Sequence, residues 1–283
     1  MSIPAILITG GTGTFGQAFV RRLLSGDEYE RICVYSRGEH RQADMRQALN
    51  DDERLRWFIG DVRDTNRLRR AMHGVDVVVH AAALKRIEAV EYNVHEAVAT
   101  NIIGTMNVVE AAIDAGVKKV VMLSTDKASA PRTLYGYTKA AAEAVILGAA
   151  SYAGGYNTIF AVTRYGNIAG SQGSVIPTWR KLAAQKHAVP ITDPECTRFF
   201  MWPDEAVNLV LKAINTMEGG EIYVPNLPAY RLGDLAEAMG VDTYVTGLQC
   251  NEKLHEQMED GNTSDTARRM TIEELRSCLE AIP

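Results

Sequence analysis

Apolar residues along the first half of the chain alternate between two spacings. Short apolar runs, which are typical of buried strands, occupy residues 5–9, 32–36, 57–60, 75–81 and 119–124. The segments between them carry apolar residues at helical spacing, at residues 15–24, 40–49, 65–72 and 94–115. A further helix from residue 137 to about residue 152 and a strand at 158–164 continue the series. Strands that alternate with helices predict an α/β fold built on a doubly wound parallel sheet with right-handed crossovers.

This rhythm changes after Asn167, where glycine and polar residues make a loop at 170–174. In the last helix Thr271 is the expected N-cap, and Glu274 completes a capping box. We predict a small C-terminal α/β lobe that packs directly against the main domain. Residues 1–168 and part of 190–225 are assigned to the main domain, and residues 169–190 and 225–283 to the lobe. Helical spacing in this second half occurs at 177–185, 203–217, 231–239 and 271–281.

The composition narrows the class of protein. The chain has 283 residues, of which 46% are hydrophobic, enough to bury a large core. Its net charge of −5 gives no reason to expect nucleic acid or an anionic membrane as a partner. Because no apolar run reaches the roughly 18 residues that span a bilayer, and no signal peptide precedes the first strand, we expect a cytoplasmic protein. The cysteines lack metal-binding spacing, so we expect free thiols and no metal at Cys33, Cys196, Cys250 and Cys278.

A glycine-rich segment follows the first predicted strand and opens the first predicted helix. Its glycines fit both G-x-G-x-x-G and G-x-x-G-x-x-G. Such glycines permit a tight turn, let backbone N–H groups approach a pyrophosphate and let the helix pack close to the strand. A glycine-rich turn can be only a turn, but this position favours a dinucleotide on a Rossmann domain. The candidate cofactor-binding residues of this segment are Gly10, Thr12, Gly13, Thr14, Phe15 and Gly16.

The end of the second predicted strand indicates which dinucleotide binds. A site that prefers NAD usually places Asp or Glu there, to bind the ribose 2′-hydroxyl. This chain instead has Ser36 and Arg37, with Arg41 one helical turn later. A hydroxyl and two cations suit a 2′-phosphate, so we predict NADP. NAD is possible if both arginines are solvated surface charges.

Two further strand ends complete the predicted cofactor site. Asp61 follows the third strand and is placed to accept a hydrogen bond from an adenine amino group. It could equally cap the next helix, although Asp64 is the better N-cap. His80, on a valine-rich strand, is predicted to be a hydrogen-bonded core histidine. Small residues that leave room for a ribose end the fourth strand, at Ala81, Ala82 and Ala83.

The candidate chemistry follows the strand at 119–124, whose carboxyl end is where an open α/β sheet binds ligands. Ser124-Thr125-Asp126-Lys127 offers an acid and an amine, and Tyr135 and Lys139 lie four residues apart on one face of a helix. A nearby ammonium and a positive nicotinamide ring should lower the pKa of Tyr135, so that it takes a proton from a sugar hydroxyl as hydride leaves the carbon. The alternatives are an exposed Tyr/Lys pair, and a helix cap beside a surface lysine.

Longer strings relate the chain to a known family. The glycine-rich segment with Tyr135 and Lys139 resembles the extended short-chain dehydrogenase/reductases. The similarity covers about residues 5–205, with a further matching string at 252–256. Within that superfamily the chain resembles the inverting UDP-N-acetylglucosamine 4,6-dehydratases (5-epimerising), on strings at 35–37, 58–64, 80–85, 91–93, 124–127, 134–136, 164–167 and 197–199.

The resemblance implies oxidation of a hexose at C4, loss of the C6 hydroxyl and return of hydride to C6. Oxidation at C4 makes the C5 proton acidic, because the new carbonyl can hold the enolate charge. Lys127 can take this proton if desolvation and neighbouring cations depress its pKa. Asp126 can protonate O6 if its site keeps it protonated. Retaining members carry Asp-Glu where this chain has Asp126-Lys127, which favours the inverting group. The catalytic set is then Thr125, Asp126, Lys127, Tyr135 and Lys139.

The resemblance also implies a UDP-sugar site. Asn167 and Arg198 match positions near the nucleotide diphosphate, and an arginine can bind phosphate with two hydrogen bonds. Lys85 is expected to face the cleft. The chain departs from the family at residues 86–88, at Tyr137 and at Gln249, where the family has an arginine. By resemblance we also assign Val175, Thr192 and Glu256 to the substrate, and Val62 and Asn101 to the cofactor.

The prediction is a cytoplasmic sugar-nucleotide 4,6-dehydratase with tightly bound NADP. A UDP-hexose 4-epimerase needs Tyr135 and Lys139 but no acid and base at 126–127, and it is the first alternative. A retaining 4,6-dehydratase and a binding protein that has lost catalysis are the others. The apolar helical segments at 102–115 and 140–150 predict a homo-oligomer, although they could equally only cover the sheet.

Overall fold

The computed structural model describes residues 4–153, 157–171 and 173–282. Its strands are β1 (Ala5–Thr9), β2 (Arg31–Ser36), β3 (Leu55–Ile59), β4 (Val77–His80), β5 (Lys119–Leu123), β6 (Ile159–Thr163), β7 (Asn167–Ile168), β8 (Val189–Ile191), β9 (Thr197–Met201), β10 (Ile222–Tyr223), β11 (Ala229–Arg231), β12 (Thr243–Val245), β13 (Gln257–Glu259) and β14 (Asn262–Thr263). Its α-helices are α1 (Thr14–Leu24), α2 (Glu39–Ala48), α3 (Thr65–Met72), α4 (Ile87–Tyr92), α5 (Val94–Val98), α6 (Gly104–Asp114), α7 (Leu134–Tyr152), α8 (Val175–Ala184), α9 (Pro203–Thr216), α10 (Leu232–Met239) and α11 (Ile272–Ala281). A π-helical turn (Ala99–Ile103) joins α5 to α6, and a 3₁₀ turn (Asp126–Ala128) follows β5.

Seven strands of the described residues form one parallel sheet in the order β10-β6-β5-β4-β1-β2-β3. The strand order reverses beside β1, and in such sheets the ligand crevice opens at this switch point. Thr9 pairs with both Tyr35 and His80, so the carboxyl ends of β1, β2 and β4 are level. The doubly wound parallel sheet predicted from the sequence is confirmed.

Helices bury this sheet from both faces. Ile6 and Ile8 of β1 point into an apolar cluster that α1 and α9 cover, whereas Leu7 points into a cluster covered by α3, α6 and α7. Successive side chains of a strand point to opposite faces, so a strand buried from both sides is apolar throughout. The continuous apolar run at 5–9 therefore follows from the position of β1 at the centre of the sheet.

Side-chain caps fix several helix starts. α7 begins at Leu134 rather than at residue 137, because the Thr133 hydroxyl accepts a hydrogen bond from the Gly136 N–H at 3.1 Å. Asp64 caps α3 by accepting from the Arg67 N–H, as predicted. At α11 the Thr271 hydroxyl accepts from the Glu274 N–H at 3.2 Å, and Glu274 accepts from the Thr271 N–H at 2.9 Å. The predicted capping box is confirmed.

The C-terminal part has its own strands and core. β7, β9 and β11 form a mixed sheet, β8 pairs with β12, and β13 pairs with β14. Trp179, Phe200 and Leu235 lie in a separate apolar cluster that α11 closes through Leu275. This is the small α/β lobe that the sequence predicts. The domain limits stay a prediction, and β10 belongs to the main sheet beside β6.

Candidate active site

The glycine-rich turn packs against the end of β4 through backbone atoms. Gly10 has φ +67°, and a Cβ placed there would lie 2.8 Å from the Ala82 nitrogen. A Cβ on Gly16 would lie 2.5 Å from the Gly11 Cα, so a side chain at Gly10 or Gly16 would clash with the backbone of the turn. Gly13 is the N-cap of α1 and supplies no side chain to cap it. The N-terminus of α1 is therefore not capped by the side chain of its N-cap residue, and the positive end of its dipole suits a dinucleotide pyrophosphate.

Two of the predicted cofactor-binding side chains in this turn are enclosed by protein. Thr12 is buried, and its carbonyl accepts a hydrogen bond from Gln17 at 3.0 Å. Phe15 is also buried, and its ring stacks on Phe19 with the centroids 5.3 Å apart. Phe15 can therefore offer a cofactor its backbone amide, while its ring anchors α1 in the core. Thr14, the first residue of α1, is half-buried.

The residues expected to bind the ribose 2′ position already have partners. The Ser36 hydroxyl accepts a hydrogen bond from Gln42 at 3.0 Å, and Gln42 also binds the Phe58 carbonyl of β3. Arg37 is exposed, and its guanidinium lies 3.7 Å from the Asp61 carboxylate. Arg41 is exposed on α2. The cations are thus at the surface as expected, but the Ser36 hydroxyl is held by the protein and Arg37 faces an acid.

Asp61 is more strongly engaged than the sequence indicates. Its carboxylate accepts from the Arg63 N–H at 3.0 Å and from the Arg63 guanidinium at 2.7 and 3.1 Å. Burial alone would raise the pKa of Asp61, but the bonds from Arg63 and the charge of Arg37 lower it. Asp61 is therefore an ionised hydrogen-bond acceptor that Arg63 already engages. Val62, which follows it, is buried, and its carbonyl accepts from Asn107 at 3.0 Å.

His80 joins strands β1 and β4 to helix α6. Its Nδ1 lies 2.7 Å from the Thr9 hydroxyl and its Nε2 lies 3.1 Å from the Thr105 hydroxyl. Thr105 donates to the Asn101 carbonyl, so Nε2 is the protonated nitrogen, and Nδ1 accepts from Thr9. Burial lowers the pKa of His80 to about 3, so the ring is neutral. The prediction of a hydrogen-bonded core histidine is confirmed.

Asn101 lies in the π-helical turn and binds two elements of the site. Its amide accepts from the Leu84 N–H at 2.8 Å and donates to the Leu84 carbonyl at 3.0 Å. The same amide donates to the Thr138 hydroxyl of α7 at 3.0 Å. Asn101 is thus positioned to hold the segment after β4, which carries the half-buried Ala81, Ala82 and Ala83, against α7. Lys85, which follows Leu84 in this segment, is exposed.

The acid and the amine form an ion pair in the 3₁₀ turn after β5. Asp126 is 0% exposed, and its Oδ1 accepts from the Thr125 hydroxyl at 2.9 Å and from Lys127 Nζ at 3.0 Å. Its other oxygen, Oδ2, has no hydrogen-bond partner among the described residues. Burial raises the pKa of Asp126, and Glu256 raises it further, against the opposing charge of Lys127. Burial and Glu256 thus move the pKa of Asp126 in the direction that its predicted role as an acid requires, although Asp126 is paired with Lys127 here.

The charges that surround Lys127 differ from those predicted from the sequence. Burial would lower its pKa, but the charges of Asp126 and Glu256 outweigh burial and Arg198, so the pKa of Lys127 is raised. Its Nζ lies 3.3 Å from Glu256 Oε1 and 3.5 Å from the Asn167 amide oxygen. The expectation that neighbouring cations depress this pKa was wrong, because the charges of Asp126 and Glu256 outweigh that of Arg198.

Tyr135 and Lys139 both lie on α7 but bind different partners. The Tyr135 hydroxyl hydrogen-bonds to Thr125, and burial raises the pKa of Tyr135 to about 12 although Lys127 opposes the shift. Lys139 is buried and donates to the Leu123 carbonyl at the end of β5 at 2.7 Å. Burial lowers the pKa of Lys139 to about 8. Burial therefore outweighs the charge of Lys127, and the expected depression of the Tyr135 pKa is absent.

Four of the predicted substrate-binding residues line one cavity of about 220 Å³. Glu252, to which the sequence analysis gave no role, also lines it; its Oε1 accepts from Arg198 at 2.9 Å and from Thr192 at 3.1 Å. The string at 252–256 was the only sequence signal for this residue. Glu256, by contrast, is 3% exposed and lies behind Lys127 and Arg198. The four predicted residues of the cavity are Asn167, Val175, Thr192 and Arg198.

The residues that the structure describes lack a metal-binding cluster and a membrane-spanning helix. They contain no group of three or more His, Cys, Asp or Glu side chains arranged to hold a metal ion. None of their helices combines the length and the apolarity needed to cross a bilayer. The four cysteines carry free thiols, with Cys33 and Cys196 buried.

The doubly wound sheet, the glycine-rich turn at its switch point and the Tyr135/Lys139 pair define an extended short-chain dehydrogenase/reductase fold. More narrowly, the chain belongs to the polysaccharide biosynthesis protein family, which it matches over residues 6–275.

Individual proteins of known name resemble the chain closely. The inverting UDP-N-acetylglucosamine 4,6-dehydratase of Campylobacter jejuni subsp. jejuni serotype O:23/36 (strain 81-176) is 45% identical over 262 residues, which cover 92% of this chain and 78% of the relative. The UDP-glucose 4-epimerase of Rickettsia canadensis (strain McKiel) is 43% identical over 237 residues, which cover 83% and 69%. The dTDP-glucose 4,6-dehydratase DesIV of Streptomyces venezuelae, solved with NAD and TYD bound, shares the fold with a TM-score of 0.84 at 23% identity, over 98% of this chain and 96% of DesIV.

Proposed function

We propose that this protein is a sugar-nucleotide 4,6-dehydratase, which converts UDP-N-acetylglucosamine to a UDP-4-keto-6-deoxy-hexose with inversion at C5. The observation that carries the proposal is the Asp126–Lys127 ion pair of 3.0 Å, which two hydrogen bonds through the Thr125 hydroxyl connect to Tyr135. Oxidation at C4 alone needs only the Tyr135/Lys139 pair. Elimination needs a further acid and base, and the buried turn after β5 supplies both.

The cofactor in this proposal is a nicotinamide dinucleotide on the glycine-rich turn. Its pyrophosphate would meet the N-terminus of α1, with Ala82 and its neighbours at the nicotinamide ribose. When bound, the nicotinamide accepts hydride from C4 and returns it to C6. Tyr135 would take the proton of the C4 hydroxyl, and the positive charge of Lys127 favours the tyrosinate that this requires, against burial.

The elimination can begin from the ion pair as it stands. Moving one proton from Lys127 Nζ to Asp126 produces an amine that can take the C5 proton and an acid that can protonate the departing O6. The transfer removes two charges from a buried site, which lowers their desolvation cost. When Lys127 has taken the C5 proton and Asp126 has given its proton to O6, water leaves and the ion pair is restored.

The sugar nucleotide in this proposal enters the cavity beside Arg198. Arg198 is the cation that lines the described cavity, and it is bound there to the carboxylate of Glu252. A diphosphate would replace that carboxylate as the partner of the guanidinium. Asn167, which lines the cavity and also reaches Lys127, would then link the nucleotide end of the substrate to the reacting carbon. Lys85 would approach from the exposed segment after β4.

The finer assignment of NADP rests on Arg37 and Arg41. Both cations are exposed at the end of the crevice where the adenosine ribose would lie, and a 2′-phosphate would compete with Asp61 for Arg37. NAD would leave the Arg37–Asp61 pair intact. We also propose a cytoplasmic location, because buried free thiols suit a reducing compartment.

A 4-epimerase is the second candidate function. It is favoured by the 43% identity to a protein named UDP-glucose 4-epimerase, over 83% of this chain. An epimerase would use Tyr135 and Lys139 in the same way but would leave Asp126 and Lys127 without a proton to transfer. The two functions therefore differ at the carbons that exchange protons with water.

Incubation of the purified protein with UDP-N-acetylglucosamine in D₂O, followed by NMR, tests the proposal. The dehydratase yields a 4-keto-6-deoxy sugar with deuterium at an inverted C5, whereas an epimerase yields only the C4 epimer. Unchanged sugar or a C4 epimer would refute the dehydratase. The dinucleotide released on denaturation identifies the cofactor as NADP or NAD.

Lys127→Ala provides the matched variant for this experiment. It should lower the rate of dehydration by about 10²-fold or more, because the base is gone while Tyr135 and Lys139 are intact. Oxidation at C4 should persist and be visible as reduced nicotinamide absorbance. An unaffected rate of dehydration would exclude Lys127 as the base.

A further inference from the structure

Glu256 is a buried carboxylate surrounded by the cations of the site. Its Oε1 lies 3.3 Å from Lys127 Nζ and 3.9 Å from Arg198 Nε, and its Oε2 lies 3.5 Å from Lys253 Nζ. Its own N–H donates to Ser264 at 2.8 Å, which fixes the backbone just before β13. Contact with a substrate would have to compete with these three cations.

We propose that Glu256 is a positioning residue: the counter-ion that holds Lys127 beside Asp126 and sets when this pair releases a proton. The inference rests on the dehydratase proposed above and deepens it, since it assigns Glu256 to the acid–base pair rather than to the sugar. Asp126 and Glu256 approach the Lys127 ammonium to 3.0 and 3.3 Å and together hold its position.

The other groups that face Lys127 do not replace Glu256. Arg198 opposes the carboxylates, and Asn167 offers a neutral oxygen at 3.5 Å. Burial raises the pKa values of Tyr135 and Tyr230, so both phenols are neutral near pH 7. Lys253 acts through Glu256, and it is anchored by a bond to the Ser129 carbonyl at 2.6 Å. Glu256 is therefore the charge outside the pair that keeps Lys127 protonated.

One charge acts on both members of the pair. The negative charge of Glu256 raises the pKa of Asp126 and also that of Lys127. Removing it must lower the proton affinity of both, so a bell-shaped pH profile should move as a whole. A residue that only supports the fold, or only binds sugar, would change the height of the profile and leave its limbs in place.

Glu256→Gln tests this, with Glu252→Gln as the matched control. Both variants lose one carboxylate that faces Arg198, but Glu252 is bonded to Arg198 and Thr192 rather than to Lys127. In Glu256→Gln both limbs of the kcat profile should move to lower pH by about one unit or more. In Glu252→Gln the KM for the UDP-sugar should change while the limbs stay. Limbs that stay in Glu256→Gln would overturn the proposal.

A second measurement is independent of turnover. Lysines methylated with ¹³C report their protonation by NMR, and Lys127 is identified by the signal missing from Lys127→Arg. In the native protein this signal should keep its ammonium shift up to pH about 10.4, the ordinary lysine value, whereas in Glu256→Gln it should titrate below that pH. Glu256→Asp, which keeps the charge, should restore the native behaviour.

The outcomes separate the two proposals. An altered Lys127 titration in a protein that dehydrates no UDP-sugar would support the role of Glu256 and reject the dehydratase. An unaltered titration in Glu256→Gln would reject the role of Glu256, whatever the activity.

Discussion

At the scale of single residues, the protonation state of His80 affects the structure at the end of β4. Its ring is fully enclosed, its Nδ1 accepts from Thr9, and Thr9 in turn accepts from the Ala82 N–H at 3.2 Å. A proton on Nδ1 would break the bond from Thr9 and place a charge in the core. The geometry of the cofactor crevice therefore depends on a neutral His80.

We predict that stability falls as the pH decreases from about 6.5 to about 3. Above pH 6.5 His80 is neutral in both states. Below pH 6.5 the His80 imidazole binds a proton in the unfolded chain but not in the native state, because burial lowers its pKa in the native state to about 3. The loss should amount to a few kcal/mol, measured as the free energy of unfolding in urea at several pH values.

His80→Gln is the control for this pH dependence. Its amide can bond to Thr9 and Thr105 but does not titrate, so its stability should depend less on pH over the same interval. Equal slopes for the two proteins would mean that the carboxylates alone cause the acid sensitivity.

Lys127 illustrates what sequence reasoning can and cannot supply at this scale. The identity of the acid and the amine and their position after a strand were readable from residues 119–127. The sign of the pKa shift was not, because it depends on Glu256 and Arg198, which reach Lys127 only in the folded chain. Neighbours in sequence predict residue types, whereas charges that determine a pKa come from distant segments.

At the scale of elements, the π-helical turn acts as a junction. It places the Asn101 amide between the Leu84 backbone and the Thr138 hydroxyl of α7. A π turn widens the helix locally, and such turns often occur at functional sites. Because Thr138 also donates to the Tyr135 carbonyl, the junction extends to the first turn of α7, where Tyr135 lies.

Asn101→Ala should destabilise the protein by about 2–3 kcal/mol, because the Leu84 N–H and carbonyl lose their partner in a partly buried place. It should also weaken dinucleotide binding, since the segment after β4 is no longer held. Urea unfolding and a cofactor titration measure the two effects.

Asn107→Ala is the comparison for this junction. Asn107 lies on α6 and makes a single bond to the Val62 carbonyl at 3.0 Å, so its loss should cost about 1 kcal/mol. Equal losses in the two variants would contradict a special role for Asn101.

The elements were predicted in proportion to their length. The main sheet and long helices have enough residues to establish a period, and they were found. The six-residue α4 and the two-residue strands β7, β10 and β14 do not, and they had no predicted counterpart. The predicted helix at 94–115 follows the observed path, but its π turn depends on contacts of Asn101 that apolar spacing does not encode.

At the scale of the whole molecule, large apolar side chains are exposed on two helical segments. Ile103 of the π turn and Met106 of α6 are each 45% exposed, and Tyr137 of α7 is 56% exposed. Ile103 and Met106 lie in the segment at 102–115 that was predicted to join subunits, whereas Tyr137 lies just before the other predicted segment, at 140–150. Contiguous exposed apolar surface commonly marks an interface.

Met106→Glu should therefore reduce the oligomer to a 31.1 kDa species in light scattering, because it places a charge in the predicted contact. Ile59→Glu is the control. Ile59 is 50% exposed on β3, an edge strand of the main sheet, and this substitution should leave the mass of the particle unchanged. A native protein that already scatters as 31.1 kDa would remove the basis for the interface.

Residues far apart in the chain complete the acid–base turn at 126–128, and this separation has a consequence for the order in which the site forms during synthesis. Lys253 bonds to the Ser129 carbonyl, 124 residues earlier, and Arg164 bonds to the Met258 carbonyl. At about 5–20 residues per second, a ribosome needs roughly 6–25 s to travel from the acid–base turn to the strand that completes it. At the start of this interval β1 to β5 and the glycine-rich turn are already synthesised, and β6 and β10 are added during it, before Glu256. A nascent chain can thus acquire its dinucleotide crevice before its elimination chemistry.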